Sequence, residues 1–271
     1  MKKIISVLMI SLLFLALIPF SAMAETREGV IALEGMEETI EETLFDSPLG
    51  FSFWYANDRL EAYPGETEGI EGVTVANPDS DDCMVLSVIT PEEAAEYAAD
   101  YGKNLPEESA APAQTDLYLE LEDGQYSFCT LIGGNGKYLR AVGWYSQEAA
   151  EGTAKFFRRV LDNVMLADPG SFPGRYANGS YDEVVIGKQE DTWTMAVSLY
   201  RLASLDEGTV SFTGRSAVFQ TEDPAENPMT LSFFPNGEGR FTLRVDESTW
   251  EYLTPGTVFE DLVRVPAGEE P

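Results

Sequence analysis

Asp168-Pro169-Gly170-Ser171-Phe172-Pro173-Gly174 concentrates turn formers between a helix-patterned segment and a long run of strand-like segments. It marks a boundary between residues 25–168 and residues 175–271, with 169–174 as a Pro/Gly linker, and each piece is long enough to bury its own core. Just before the boundary, Thr153, Phe156, Phe157, Val160, Leu161 and Val164 recur at helical spacing, so an amphipathic helix is expected to cover one sheet face. Ser146 is its expected cap, and Glu151 can pair with Lys155 one turn on. Beyond the boundary, 181–186, 193–202, 209–212, 217–220, 229–234, 240–245 and 258–265 read as short strands. Turns at Asp206-Glu207-Gly208, Asp223-Pro224 and Pro235-Asn236-Gly237 separate them, which predicts an all-β small barrel or sandwich.

The first piece mixes periodicities. Met36, Ile40 and Leu44 among Glu and Thr favour a strand with one wet face, and Ser47-Pro48-Leu49-Gly50 turns it into Phe51-Ser52-Phe53-Trp54-Tyr55. An extended Gly-, Pro- and Glu-rich loop follows, then strands at 73–76 and 84–89. Thr90-Pro91-Glu92-Glu93 is a capping box for a helix reaching about Tyr101. After a loop at 105–114, strands are predicted at 117–121 and 125–132, joined at Asp123-Gly124, and at 137–145 after Gly133-Gly134-Asn135-Gly136. The expected fold class is therefore α+β: an N-terminal antiparallel sheet packed by two helices, and a C-terminal all-β unit.

The succession of a hairpin carrying Leu49-Gly50-Phe51-Ser52-Phe53-Trp54-Tyr55, a mid-chain helix, a three-strand meander and a closing helix with Phe156-Phe157 resembles the PsbP-like fold over residues 30–168. The resemblance implies an antiparallel sheet packed by helices and a non-catalytic docking or assembly role. It carries over no functional residue, because no matching ligand motif is present. Thr249-Trp250-Glu251-Tyr252-Leu253 with Pro255-Gly256 is similar to the closing segment of small calycin-like barrels, over residues 172–266.

Residues 1–24 have the order of a secretion signal: basic Lys2-Lys3, an apolar run from Ile4 to Phe20, and Ala22-Met23-Ala24 as a processing site. Cleavage after Ala24 is expected, in a bacterial chain bound for the periplasm or the medium. No later stretch is apolar enough to span a bilayer. The chain carries 47 Asp plus Glu against 17 Lys plus Arg, a formal charge of −30. Such a field repels phosphate backbones and anionic headgroups, so nucleic acid and membrane surfaces are not the expected partners.

The chain contains no histidine, which removes Ser-His-Asp and Cys-His nucleophile systems and the usual zinc sites. Gly133-Gly134-Asn135-Gly136-Lys137 lacks the remaining features of a phosphate loop, and Asp79-Ser80-Asp81-Asp82 lacks the glycine and glutamate of a calcium loop. No catalytic, cofactor or metal residues are expected, and no cofactor. Cys83 and Cys129 are candidates for a structural disulfide, the alternative being two separately buried thiols. Trp193 and Trp250 are candidates for lining a ligand mouth, although aromatics in a small barrel ordinarily fill it. Lys155, Arg158 and Arg159 form a tight basic cluster, either a partner patch or a solvated helix face. The resulting expectation is a secreted or envelope, non-enzymatic binding or docking protein whose partner is an envelope protein or a small ligand. A small-ligand carrier using the barrel is the alternative, followed by an Asp/Glu-dependent hydrolase.

Overall fold

The computed structural model describes residues 25–33, 35–107, 111–150, 152–237 and 239–266. The expected signal segment and the Glu151 half of the expected Glu151–Lys155 pair lie outside them.

Hydrophobic alternation and turn chemistry produce three antiparallel sheets. The first runs in the order β1 (Thr26–Leu33), β2 (Met36–Ser47), β3 (Phe51–Ala56), β10 (Met165–Leu166). The second runs β4 (Glu61–Thr67), β5 (Ile70–Ala76), β6 (Cys83–Ile89), β9 (Lys137–Ser146), β8 (Gln125–Gly134), β7 (Ala113–Glu122). Its β7-β8-β9 meander depends on two-residue turns with both residues at positive φ, Asp123 (50°) with Gly124 (82°) and Asn135 (51°) with Gly136 (70°). Glycine in the second position adopts that geometry without the Cβ clash, and the turn's twist matches the strands it joins.

One face of the second sheet packs on the first sheet and on α2 (Thr153–Asp162), through Phe51, Phe53, Val73, Met84, Ile132, Phe157 and Val160. The opposite face carries a smaller cluster, Leu117, Cys129, Leu131 and Val142, beneath Ala98 of α1 (Pro91–Asp100). Thr90 caps α1: its hydroxyl accepts from the Glu93 amide at 3.2 Å while the Glu93 carboxylate accepts from the Thr90 amide at 2.8 Å.

The third sheet is a nine-stranded meander in which β11 (Gly174–Ala177) pairs with both β12 (Glu183–Gln189) and β19 (Val258–Arg264). Its end strands, β14 (Ala203–Leu205) and β15 (Gly208–Phe212), are joined by Asp206 and Glu207 alone, so the sheet curls until its ends meet. Between them run β13 (Thr192–Leu199) beside β14, and β16 (Ala217–Glu222), β17 (Pro228–Gly237) and β18 (Arg240–Glu247) beyond β15. The interior is filled: Tyr176 meets Phe233 at 4.8 Å and Phe241 at 4.7 Å between ring centroids, and Phe219, Leu231 and Leu243 have no exposed surface.

The α+β expectation is corrected. Among the described residues there are nineteen strands and two α-helices of ten residues each, and the molecule is mostly β. The N-terminal half is not a sheet packed by two helices, because α2 shares its core with a further sheet and α1 buries only Ala94 and Ala98. Two segments account for the difference. Glu61–Thr67 is polar and interrupted by Pro64-Gly65, and Thr26–Leu33 opens on Thr-Arg-Glu-Gly before its short apolar run, yet each pairs along its full length, with β5 and β2 respectively. Ser146 does not cap α2 either: its hydroxyl accepts from the Ala149 amide and caps a short 3₁₀ turn, Gln147–Ala149, and α2 starts after Gly152.

The third sheet is locked to the first by the turn between β15 and β16. An ideal Cβ on Gly214 would lie 2.1 Å from the Met165 carbonyl oxygen and 2.4 Å from the Ser52 amide nitrogen, so backbone meets backbone there. Arg215 pairs with Glu25 at 2.5 Å, and the Ala167 amide donates to the Gly50 carbonyl at 2.9 Å. The 169–174 segment is fastened as well, since Arg264 Nη2 donates to the Ser171 carbonyl, the Pro173 carbonyl and the Tyr176 hydroxyl, each at 2.8 Å.

Candidate functional site

The second sheet ends in β7, a ten-residue strand hydrogen-bonded to β8 on one side and to no other strand among the described residues on the other. Leu117 is inserted as a bulge between Asp116, which faces Thr130, and Tyr118, which faces Cys129. The extra residue resets the alternation. It puts Asp116 and Leu119 on the same face, opposite Thr130 and Phe128, where simple alternation would separate them. Gln114 ties the start of the strand to the end of α2, its Nε2 donating to the Leu161 carbonyl at 2.9 Å.

Between β7 and α2 lies a groove of about 300 Å³ with Phe128, Tyr145, Phe157 and Leu161 on its floor. Leu119, 62% exposed, continues this apolar surface toward the edge, and Leu121, 47% exposed, extends it. The rim is polar. Asp116 accepts from Thr130 Oγ1 at 2.7 Å and from Arg158 Nη1 at 3.2 Å, and Arg158 reaches Asp162 with Nε at 3.1 Å. The exposed apolar strip therefore has a border whose charges are already oriented.

The basic cluster separates into different roles. Arg159 turns inward to Glu42, with Nε on Oε1 at 2.8 Å and Nη2 on Oε2 at 3.1 Å, and Arg27 completes the clamp with Nε on Oε2 at 2.8 Å. The Glu42 side chain has no exposed surface. Burial alone would raise its carboxyl, but the hydrogen bonds from Arg159 and Arg27 outweigh that and hold it below the usual range. Arg158 stands on the groove rim, and Lys155 lies on α2 with them.

The expected disulfide is corrected: Cys83 and Cys129 are free. Cys83 lies opposite Trp144 and Cys129 opposite Val142, on the two sides of β9. Two strand spacings put them about 10 Å apart, beyond the ~7 Å that a bridge can span. Burial pushes the Cys129 thiol up to about 11, and burial, followed by Glu68, Asp82 and Asp81, raises that of Cys83. Both are therefore protonated at neutral pH and poor nucleophiles. Trp193 packs edge-on against Phe212 at 4.9 Å and Trp250 against Tyr252 at 5.5 Å, both at the margin of the third core.

Two polar clusters form only in the fold, the first from acidic turns that the sequence shows separately. A cleft of about 600 Å³ at the β14–β15 seam is lined by Asp206, Glu207, Glu222 and Asp223. Asp223 is held low by the Asn227 backbone amide first, then by the Asn227 side chain and the Ala225 amide, which makes it the organiser of its own turn. Among the described residues, no group of three or more Cys, Asp or Glu is placed to hold a metal ion. At the junction of the sheets, Asp46 accepts from Ser52 while Arg215 and Arg244 each lie 5.2 Å from the Phe234 ring centroid. Asp46 reaches solvent, yet protein crowds its other sides, and this desolvation pushes its carboxyl up against the opposing pull of Ser52, Thr213, Arg215 and Arg244. These long-range groupings, such as Arg159 with Glu42, have no local sequence signature.

No family model, curated protein or solved structure matches the chain.

Proposed function

We propose that this chain is an exported, extracytoplasmic protein that binds a partner polypeptide without catalysing a reaction, and that the groove between β7 and α2 is its docking surface. The observation that carries this reading is the exposed apolar strip of Leu119 and Leu121 running into the Phe128-Tyr145-Phe157-Leu161 floor beside an unpaired strand edge. The absence of histidine from the sequence and the protonated state of both thiols support a binding role over nucleophilic or general-base chemistry. The carrier alternative is weakened by the aromatic side chains that occupy the interior of the third sheet.

The test is site-specific photo-cross-linking in the source cells, with the reactive group at position 119 or, as a control, at Tyr252, which is 61% exposed on the third sheet's side of the molecule. A defined protein adduct from position 119 and none from 252 is expected. Equal labelling from the two positions, or no adduct from 119, would remove the docking assignment.

A further inference from the structure

We infer that β7 takes its partner by strand addition: an extended polypeptide segment that alternates apolar and basic residues pairs with the outer backbone edge of β7. This rests on the docking reading above and specifies the kind of partner. The first support is the edge itself. Strand ends of sheets expose a row of N–H and C=O groups that template another strand, and proteins ordinarily blunt them. β4, at the opposite end of the same sheet, is blunted by Pro64. The edge strand β1 is tied to the end of α2 by Arg27 Nη2 donating to Asn163 Oδ1 at 2.8 Å. β14 is only three residues long, and β15 lies against β13 in the curled sheet. β7 has ten residues and no proline, and among the described residues its outer backbone groups bond to nothing else.

The second support is charge arranged by face. Leu119 and Leu121 lie on the α2 side, opposite Phe128 and Tyr126, while Glu120 and Glu122 point to the other side, opposite Ser127 and Gln125. Every ionisable side chain on β7, apart from Tyr118, is a carboxylate, and Asp123 follows directly. Over residues 119–122 a segment entering in register therefore meets leucines on one face and carboxylates on the other, which selects apolar and basic residues in alternation. The same charges disfavour a second copy of this chain: pairing β7 with β7 would set carboxylates against carboxylates between bodies of formal charge −30.

The experiment uses residues 25–271 and three fluorescent decapeptides read by anisotropy in 100 mM salt: alternating lysine and valine, the same composition in two blocks, and the alternating peptide N-methylated on every second residue. N-methylation leaves charge and side chains intact but removes the donors a strand needs. The alternating peptide is expected to bind at least tenfold more tightly than either of the others, and Leu119→Asp is expected to abolish that preference while the surface control Val258→Asp retains it. Equal binding of all three peptides would show attraction by charge alone and overturn strand addition. Absence of binding by the alternating peptide would overturn it as well. If position 119 still captures a protein in cells in either case, docking stands and only its strand-addition form fails.

Discussion

Glu42 shows how one residue can hold two sheet strands and a helix together. It sits on β2, takes Arg27 from β1 and Arg159 from α2, and has no exposed surface, while its partners keep 36% and 31% of theirs. An arrangement of this kind is worth little relative to an apolar replacement but is costly to break, because the remaining charges lose a partner they were positioned for. Glu42→Gln is expected to cost about 3 kcal/mol at pH 7, measured by urea unfolding. The pH dependence follows from the direction of the shift. Because the folded carboxyl lies below its ordinary value of 4.5, its contribution is fully present above that pH and drains away as pH falls through the lowered folded value. The gap between wild type and variant should therefore be widest at neutral pH and narrow below about pH 4.5. A gap that stays constant into acid would show that Glu42 acts by shape and not by charge.

At the scale of elements, the turn between β15 and β16 decides whether the third sheet is attached or merely tethered. Gly214 faces the Met165 carbonyl and the Ser52 amide, neither of which can rotate away as a side chain would. Gly214→Ala is expected to cost about 2 kcal/mol, a drop of about 4–8 °C in Tm, and to increase protease cleavage in the 169–174 segment. A Tm unchanged within 1 °C would mean the two backbones do not touch this closely in solution. Elements with local chemistry were legible in sequence: Thr90-Pro91-Glu92-Glu93 specifies its own helix start, and Asp123-Gly124 its own hairpin turn. Elements stabilised by their neighbours were not. Glu61–Thr67 is a strand because β5 pairs with it, not because of its composition, and Ser146 offers a capping oxygen that the chain spends on a shorter turn. The site was legible only in pieces. Arg158 and Arg159 look equivalent along the sequence, but one lines a groove and the other neutralises a carboxylate 117 residues away. Both cysteines lie in strands, and only the sheet order reveals β9 between them.

For the whole molecule, the formal charge of −30 is a force distributed over every element, and it opposes the compact state. Repulsion among exposed carboxylates acts over the Debye length, about 30 Å at 0.01 M salt and about 10 Å at 0.1 M, so at low salt each one feels charges across much of the fold. The attractive pairs respond differently. Glu42 is shielded from solvent, so its contacts with the two partly exposed arginines should weaken less than exposed pairs such as Arg240–Asp261, which contribute little even before screening. Net repulsion is therefore the component that salt removes most effectively. Raising sodium chloride from 10 mM to 500 mM is expected to increase Tm by several degrees, most of it below about 0.2 M, where the screening length contracts fastest. The chloride salt is the right choice because sulfate would add stabilisation by exclusion from the surface. The same titration should weaken a basic segment held at β7, so that conditions favouring the folded chain and conditions favouring its partner pull apart. A fall in Tm with salt would reverse this assignment and mean that the exposed ion pairs outweigh repulsion among the remaining carboxylates.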